Sequence, residues 1–378
     1  MRSSVGQQAG ESRHQVTQQA LRHGLPYGAV MATGGAAQLA RACAVPGAVR
    51  PLLWLAVVEA GWIAGRGVIR HRRELRLALS VWTRIGPPAE HTGVLTVPLG
   101  LAVVATGLSA QPGPARALGA ALVVLAWLSA ALFVARFSVS VSHPGRSNSL
   151  DGGWFLAPAA LLGAGIASGA YATDAAGVLA DLGRWVALVV AGVGVAGYWA
   201  VVLGSAIAIA RRGLGDGPRV LWWIAAGCGG LGAAGLARAL SASGGMWPAD
   251  VVTLVHGAAI VTWSFAALLA VPIVAASVRS LARSRRIEKA APWPPTFSTA
   301  VFALGALGAG KMLGLPAVTD VGKAAACATL ALWAVTAALH ASRPLPSSGR
   351  RLRIPTCERD DPTVPSIPPT ATTVPPPR

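Results

Sequence analysis

The sequence predicts an all-α integral membrane protein that crosses the bilayer ten times, with its spans paired as five helical hairpins. Three observations predict it. Of the 378 residues, 53% are hydrophobic and 12% are charged, whereas soluble domains carry about 25% charged residues; the mean hydropathy is +0.55. A helix needs about 20 apolar residues to cross a hydrocarbon layer of about 30 Å, and ten stretches of that kind occur. The cations fall mostly in alternate connections, as the positive-inside rule requires of a polytopic chain.

Taken in order, the spans are Leu25–Ala44, Val49–Ile69, His91–Ala110, Ala115–Phe137, Trp154–Thr173, Trp185–Ala210, Arg219–Leu240, Val251–Val278, Trp293–Leu313 and Val321–Ala341. Each is bounded by charges or by Pro/Gly turns. Residues 1–24 are polar, contain no apolar core of a cleaved signal, and read as a cytoplasmic N-terminal segment. Residues 25–342 form the transmembrane domain. Residues 343–378 hold no apolar run and end in Val374-Pro375-Pro376-Pro377, the composition of a disordered, Pro-rich cytoplasmic tail.

With both termini inside, about 24 of the Lys and Arg residues are cytoplasmic and about 7 external, with Arg66 inside a span. Reversal would expose the basic loops at 70–84 and 279–289 and bury Asp174 and Asp181 on the cytoplasmic side. The formal net charge of +18 therefore belongs to short runs between spans, such as Arg283-Ser284-Arg285-Arg286. Runs of that kind suit anionic lipid, not nucleic acid. Four scattered cysteines, Cys43, Cys228, Cys327 and Cys357, give neither a disulfide framework nor a zinc site. There is no HExxH, GxSxG or Walker A motif and no His set for haem or metal, so neither an enzyme nor a cofactor is expected.

Short external connections pair the spans one-two through nine-ten. The odd spans carry Pro26, Pro98, Pro158, Pro294 and Pro295 as candidate kinks, and about 17 Gly against about 10 in the even spans, which marks them as an inner ring. Thr33, Thr96, Ser168, Ser298 and Thr299 also lie on odd spans, and a ring of hydroxyls can solvate an anion; a single Ser or Thr more often bonds its own helix backbone at i−4, so the argument rests on the set. Intramembrane ionisable residues are few: Glu59 and Arg66 share a face of span two, His256 lies in span eight, and Lys311 ends span nine. Arg41 and Lys311 sit near outer ends, where such side chains snorkel, and as a pair on inner spans they can draw anions to a mouth.

Several segments resemble the tellurite-resistance/dicarboxylate transporter family, which includes slow anion channels, malate transporters and sulfite exporters. Leu25-Pro26-Tyr27-Gly28-Ala29-Val30-Met31-Ala32-Thr33-Gly34-Gly35 is similar to the family's opening helix. Gly153-Trp154-Phe155-Leu156-Ala157-Pro158 is similar to its Trp-X-Leu-X-Pro entry, and Trp293-Pro294-Pro295-Thr296-Phe297 to its approach to a Thr-Phe pair. The resemblance runs from about residue 24 to residue 342 in segment order. It implies five hairpins around a central pseudo-fivefold pore lined by the odd helices, assembly as a homotrimer in the plasma membrane, and a pore-occluding Phe at Phe297. Ser298 departs from the Pro that many relatives carry there. The implied partners are small inorganic or carboxylate anions and membrane lipid. The transport readings are a passive anion pathway, proton-coupled C4-dicarboxylate uptake, and sulfite or tellurite export. A non-transporting scaffold or sensor is the alternative of another class.

Overall fold

The apolar runs fold as helices. A computed structural model describes residues 28–70, 96–141, 152–173, 175–212, 222–283 and 293–341. These residues form ten helices and no strand: α1 (28–42), α2 (Pro46–Arg70), α3 (Thr96–Ser109), α4 (Pro114–Val141), α5 (Leu156–Thr173, led by a 3-10 turn at Gly152–Phe155), α6 (Val178–Arg212), α7 (Trp223–Ala242), α8 (Ala249–Arg283), α9 (Trp293–Leu313) and α10 (Pro316–Ala341). Seven of them, α4 to α10, are long and apolar enough to cross a membrane, and α3 is a shorter apolar helix. The ten helices belong to a compact unit that ends at Ala337; of a second unit, Ala338–Arg378, residues 338–341 are described and are helical. The expected N-terminal segment, the Pro-rich tail, Pro26 and most of the basic loops lie outside the described residues.

Every expected span coincides with one helix, and the ends differ where local chemistry moves them. Helices α2, α4 and α10 begin at Pro46, Pro114 and Pro316. Proline is suited to a first turn, because the N–H it lacks would have no intrahelical partner there. The apolar pattern alone started α2 and α10 later, at Val49 and Val321. Helix α6 starts at Val178, seven residues before Trp185, and runs to Arg212.

The five odd-to-even connections share one device. Each contains a residue with positive φ: Ala44 (55°), Gly113 (69°), Gly177 (76°), Gly244 and Gly245 (59° and 88°), and Gly314 (64°). At Ala44 and Gly314 the same pair of features recurs, with Val45 N–H bonded to Ala40 O and Leu315 N–H to Gly310 O, both at 2.8 Å. That is the six-to-one bond of a Schellman end, which satisfies carbonyls left over at the helix C-terminus. The hairpin repeat is thus visible in backbone conformation although no sequence repeat announces it.

The odd helices form a closed ring. Contacts join α3 to α5, α5 to α7 and α7 to α9. The Gln38 amide donates to the Val103 carbonyl at 3.1 Å, joining α1 to α3. Helices α9 and α1 close the ring: a Cβ on Gly28 would lie 3.3 Å from that of Trp293, and one on Gly35 would lie 3.1 Å from that of Ala300. Contacts advance in the same direction on both helices, so these neighbours are parallel. Each even helix returns outside. Helix α10 runs antiparallel to α9, with Thr296 facing Thr336 and Gly310 facing Thr319. Burial follows the layering: at least 56% of the membrane-length window is buried in α5, α7 and α9, against at most 39% in α4, α6, α8 and α10.

Candidate functional site

The site begins with what each odd helix shows to the ring axis. A helix in a ring touches its two ring neighbours along two lines, and the short arc between those lines faces the centre. At about 100° per residue, the contacts define that arc on all five. On α1, Gly34 meets Val103 of α3 and Gly35 meets Ala300 of α9; Met31 and Gln38 lie between. On α3, Ala102 meets Gly163 of α5 and Val103 meets α1, leaving Leu99 and Thr106. On α5 the arc carries Ala159 and Ala170. On α7, Gly227 packs against Ser298 of α9 and Gly235 against Ile166 of α5, which leaves Leu231 between them, while the Arg238 stem lies against Gly169 of α5. On α9, Ala300 faces α1 and Ser298 faces α7, and Phe297 and Val301 fall between them.

A second line of contacts checks the orientation of α9. Phe302 stacks on Trp263 of α8 with ring centroids 5.7 Å apart, and Ala306 joins the same cluster. Phe297 is nine residues from Ala306, a rotation of about 180°. The outer face of α9 is thus occupied by Phe302 and Ala306, and Phe297 points the other way.

The arcs change character along the ring. Toward the N-terminal ends, Met31, Leu99, Leu231, Phe297 and Val301 are buried in one apolar cluster. Seven residues on, a rise of about 10 Å, stand Gln38, Thr106, Arg238 and Gly308, all half-buried. The first set is thus buried and apolar, and the second half-buried and mostly polar.

The structure does not gather the sequence-predicted hydroxyls around the axis. Thr33 accepts a hydrogen bond from Trp333 of α10 at 3.2 Å and bonds the carboxyl of Glu59 on α2, so it faces outward. Ser168 accepts from Trp127 of α4 at 2.8 Å and donates to Ala164 O at 2.9 Å. Thr299 returns to its own helix at Pro295 O and Thr296 O, both at 3.0 Å. Thr96 is buried at the start of α3. Ser298 differs from these: its hydroxyl is buried and has no hydrogen-bond partner among the described residues, on the α7–α9 seam beside Phe297.

Pro98, Pro158, Pro294 and Pro295 each fall within the first three residues of their described helix. The helix of Pro158 follows directly on the 3-10 turn Gly152–Phe155, and the residues that precede α3 and α9 lie outside the described residues. Prolines deeper in a helix are Pro51 of α2 and Pro272 of α8, in the outer layer. Arg41 and Lys311 are exposed, at the C-terminal ends of α1 and α9. His256 is half-buried on α8, and no group of three or more metal-ligating side chains occurs among the described residues.

Sequence reading passes over Thr106, which lies in odd span three and whose hydroxyl donates to the Ala102 carbonyl of its own helix at 2.8 Å.

Apolar helices of membrane length, packed as an inner ring and an outer layer, define a multi-pass membrane protein. The profile of the SLAC1 family, described as voltage-dependent anion channels, matches residues 26–341. The chain belongs to that family, whose business is anion transport across membranes, and it is the family that the three short motifs resemble. A search of curated proteins gives no match.

Proposed function

We propose that the chain forms a passive anion pathway along the axis of the odd-helix ring, occluded by Phe297. The observation that carries this reading is the placement of Phe297: it lies on the axis-facing arc of α9, opposite Ala306, in the buried cluster with Met31, Leu231 and Val301. A dry aromatic constriction blocks an ion by steric contact and by excluding the water that would hydrate it. The hydroxyl of Ser298, one residue along, supplies a donor to an anion that has shed part of its shell once the ring moves aside. Preference then follows dehydration cost, and weakly hydrated monovalent anions pass most readily.

The experiment is flux in proteoliposomes. Phe297→Ala should raise chloride and nitrate flux severalfold over the parent, because removing the ring both widens and wets the constriction. Phe302→Ala, which loses its stack on Trp263, should lower thermal stability and leave flux unchanged. A folded Phe297→Ala protein that carries no more anion than the parent, while Phe302→Ala carries more, would move the gate to the other arc of α9.

A second transport reading, proton-coupled C4-dicarboxylate uptake, is favoured by one feature, the intramembrane carboxyl of Glu59 bonded to Thr33 of the inner ring. Glu59→Gln abolishes proton-driven malate uptake under this reading and leaves passive flux intact under the first. Sulfite or tellurite export uses the same axis with a different anion and is separated by including sulfite in the panel.

The assembly we infer from the family is a homotrimer in the plasma membrane with both termini cytoplasmic. Charge supports the orientation, since it puts the basic stretches at 70–84 and 279–289 inside. Modification of Ser284→Cys by an impermeant reagent in intact cells would reverse it.

A further inference from the structure

One axis-facing position of α1 is chemically unlike its neighbours. From Val30 to Ala40 every residue of that helix is buried except Gln38, which is half-buried. Its direction follows from contacts on the same helix. Gly34 meets Val103 of α3 and Gly35 meets Ala300 of α9, and Gln38, four residues after the one and three after the other, falls between those two lines of contact. Thr33, whose hydroxyl accepts from Trp333 of the sheath, lies five residues earlier and about 140° away. Gln38 thus stands on the inner side of the α1–α3 seam, about 10 Å beyond Met31 along the helix.

The bond it makes there fixes the amide. Gln38 Nε2 donates to the Val103 carbonyl at 3.1 Å. A main-chain carbonyl only accepts, so the nitrogen and not the oxygen must meet α3, and the amide cannot turn over without losing the bond. A carboxamide nitrogen carries two hydrogens, and among the described residues this is the one hydrogen bond the side chain makes. The second N–H is left to offer. Thr106, half-buried at the corresponding position of α3, differs: its hydroxyl proton goes to the Ala102 carbonyl at 2.8 Å, so its oxygen has lone pairs and no proton to give.

We propose that Gln38 is a specificity-determining residue of the anion pathway, whose second amide N–H binds one small monovalent anion on the C-terminal side of the Phe297 level. This role rests on the ring axis being the pathway. A neutral donor replaces part of the water that an entering anion sheds and adds no fixed charge. It therefore compensates a weakly hydrated monovalent anion and falls short for a divalent one, whose dehydration costs far more. One such bond also holds loosely enough for the anion to leave, as conduction requires.

The test uses the full chain in two measurements. In proteoliposomes carrying Phe297→Ala, added Q38L should raise the half-saturating nitrate concentration about tenfold, the loss expected of one hydrogen bond to a charged group. Q38E places a negative charge at the same point and should lower nitrate flux further, with a fall in anion-over-cation selectivity. Q38K keeps a donor and adds a positive charge, so it should restore nitrate flux and turn sulfate from a weak competitor into a strong one. In detergent, nitrate replacing gluconate at constant ionic strength should stabilise the parent saturably against heating, and should not stabilise Q38L. Loss of the Val103 bond alone would lower the melting temperature of Q38L at every nitrate concentration and leave the half-saturation, the nitrate increment and the preference for nitrate over sulfate in place. That result overturns the proposal while the Phe297 pathway stands. If Q38L does not fold, Q38M, which matches glutamine in length, is measured in the same two ways. If Phe297→Ala carries no anion in any form, the pathway reading fails and the nitrate increment decides for Gln38: kept in Q38L, it removes the anion site; lost in Q38L, it leaves the site standing without the pathway.

Discussion

The glycines of the inner ring and those on the outward face of the sheath do opposite things. On α7 and α9 the two backbones touch through glycine: a Cβ on Gly230 would lie 2.5 Å from the Cα of Phe302, and one on Gly305 would run into the carbonyl of Gly230. Gly61 of α2, Gly192 of α6 and Gly257 of α8 have nothing within 4 Å of an added Cβ. Lipid tails are as apolar as leucine, so burial of greasy side chains does not by itself hold membrane helices together; close backbone approach does. The inner ring is built by leaving side chains out. The sheath meets it partly through polar side chains of tryptophan, as in Trp127 to Ser168 and Trp333 to Thr33, and otherwise shows Leu, Val and Trp outward, with Trp54, Trp62, Leu254 and Leu268 more than half exposed.

The largest expected effect breaks the inner side of that comparison. Gly305→Ala places a methyl against the Gly230 carbonyl, a backbone atom that no rotamer change can move, so α9 must shift away from α7. Overpacking costs about 1–3 kcal/mol where side chains can give way, and here the cost should exceed that range. Purified Gly305→Ala should unfold well below the parent on heating or fail to accumulate. Melting within a degree or two of the parent would mean that the α7–α9 seam is wider than described.

An intermediate effect tests the bond between sheath and ring. Thr33→Val keeps the shape and leaves the Trp333 N–H and the Glu59 carboxyl without their shared partner. Hydrogen bonds between membrane helices average about 0.6 kcal/mol, and a stranded buried group adds about 1–3 kcal/mol. Thr33→Val should therefore destabilise by about 1–2 kcal/mol, and Trp333→Phe added to it should cost little more, since the two act through one bond. Full additivity of the two substitutions in a denaturation cycle would show that Thr33 and Trp333 are not coupled.

This layering bears on what the sequence makes legible. The number of helices and the inner placement of the odd ones could be read because span length and glycine bias are properties of whole segments. Phe297 is singled out in the sequence by the family motif around it, and the structure adds that it is buried beside Met31, Leu231 and Val301. The hydroxyls could not be sorted, because Thr33 and Met31 are two residues apart and face opposite ways, and only the tryptophans of α4 and α10 reveal which hydroxyls they occupy.

The smallest expected effect tests the outer side. Gly61→Ala adds a methyl to an exposed position in the middle of α2, where there is open space. In a helix interior alanine is favoured over glycine by about 0.5–1 kcal/mol in water, and within a bilayer the backbone is already held helical by the cost of leaving its polar groups unpaired. The gain should therefore be near zero and the sign should not be negative. Thermal unfolding of Gly61→Ala in detergent, measured beside Gly192→Ala and Gly257→Ala, should match the parent within error, and oligomer mass should be unchanged. The three positions sit on three different sheath helices, so an exception would be informative about place. If Gly61→Ala alone lowers stability and also lowers oligomer mass, the face of α2 is packed against a second copy of the chain, and the contrast between a glycine-tight ring and a lipid-facing sheath holds for α6 and α8 but stops at α2.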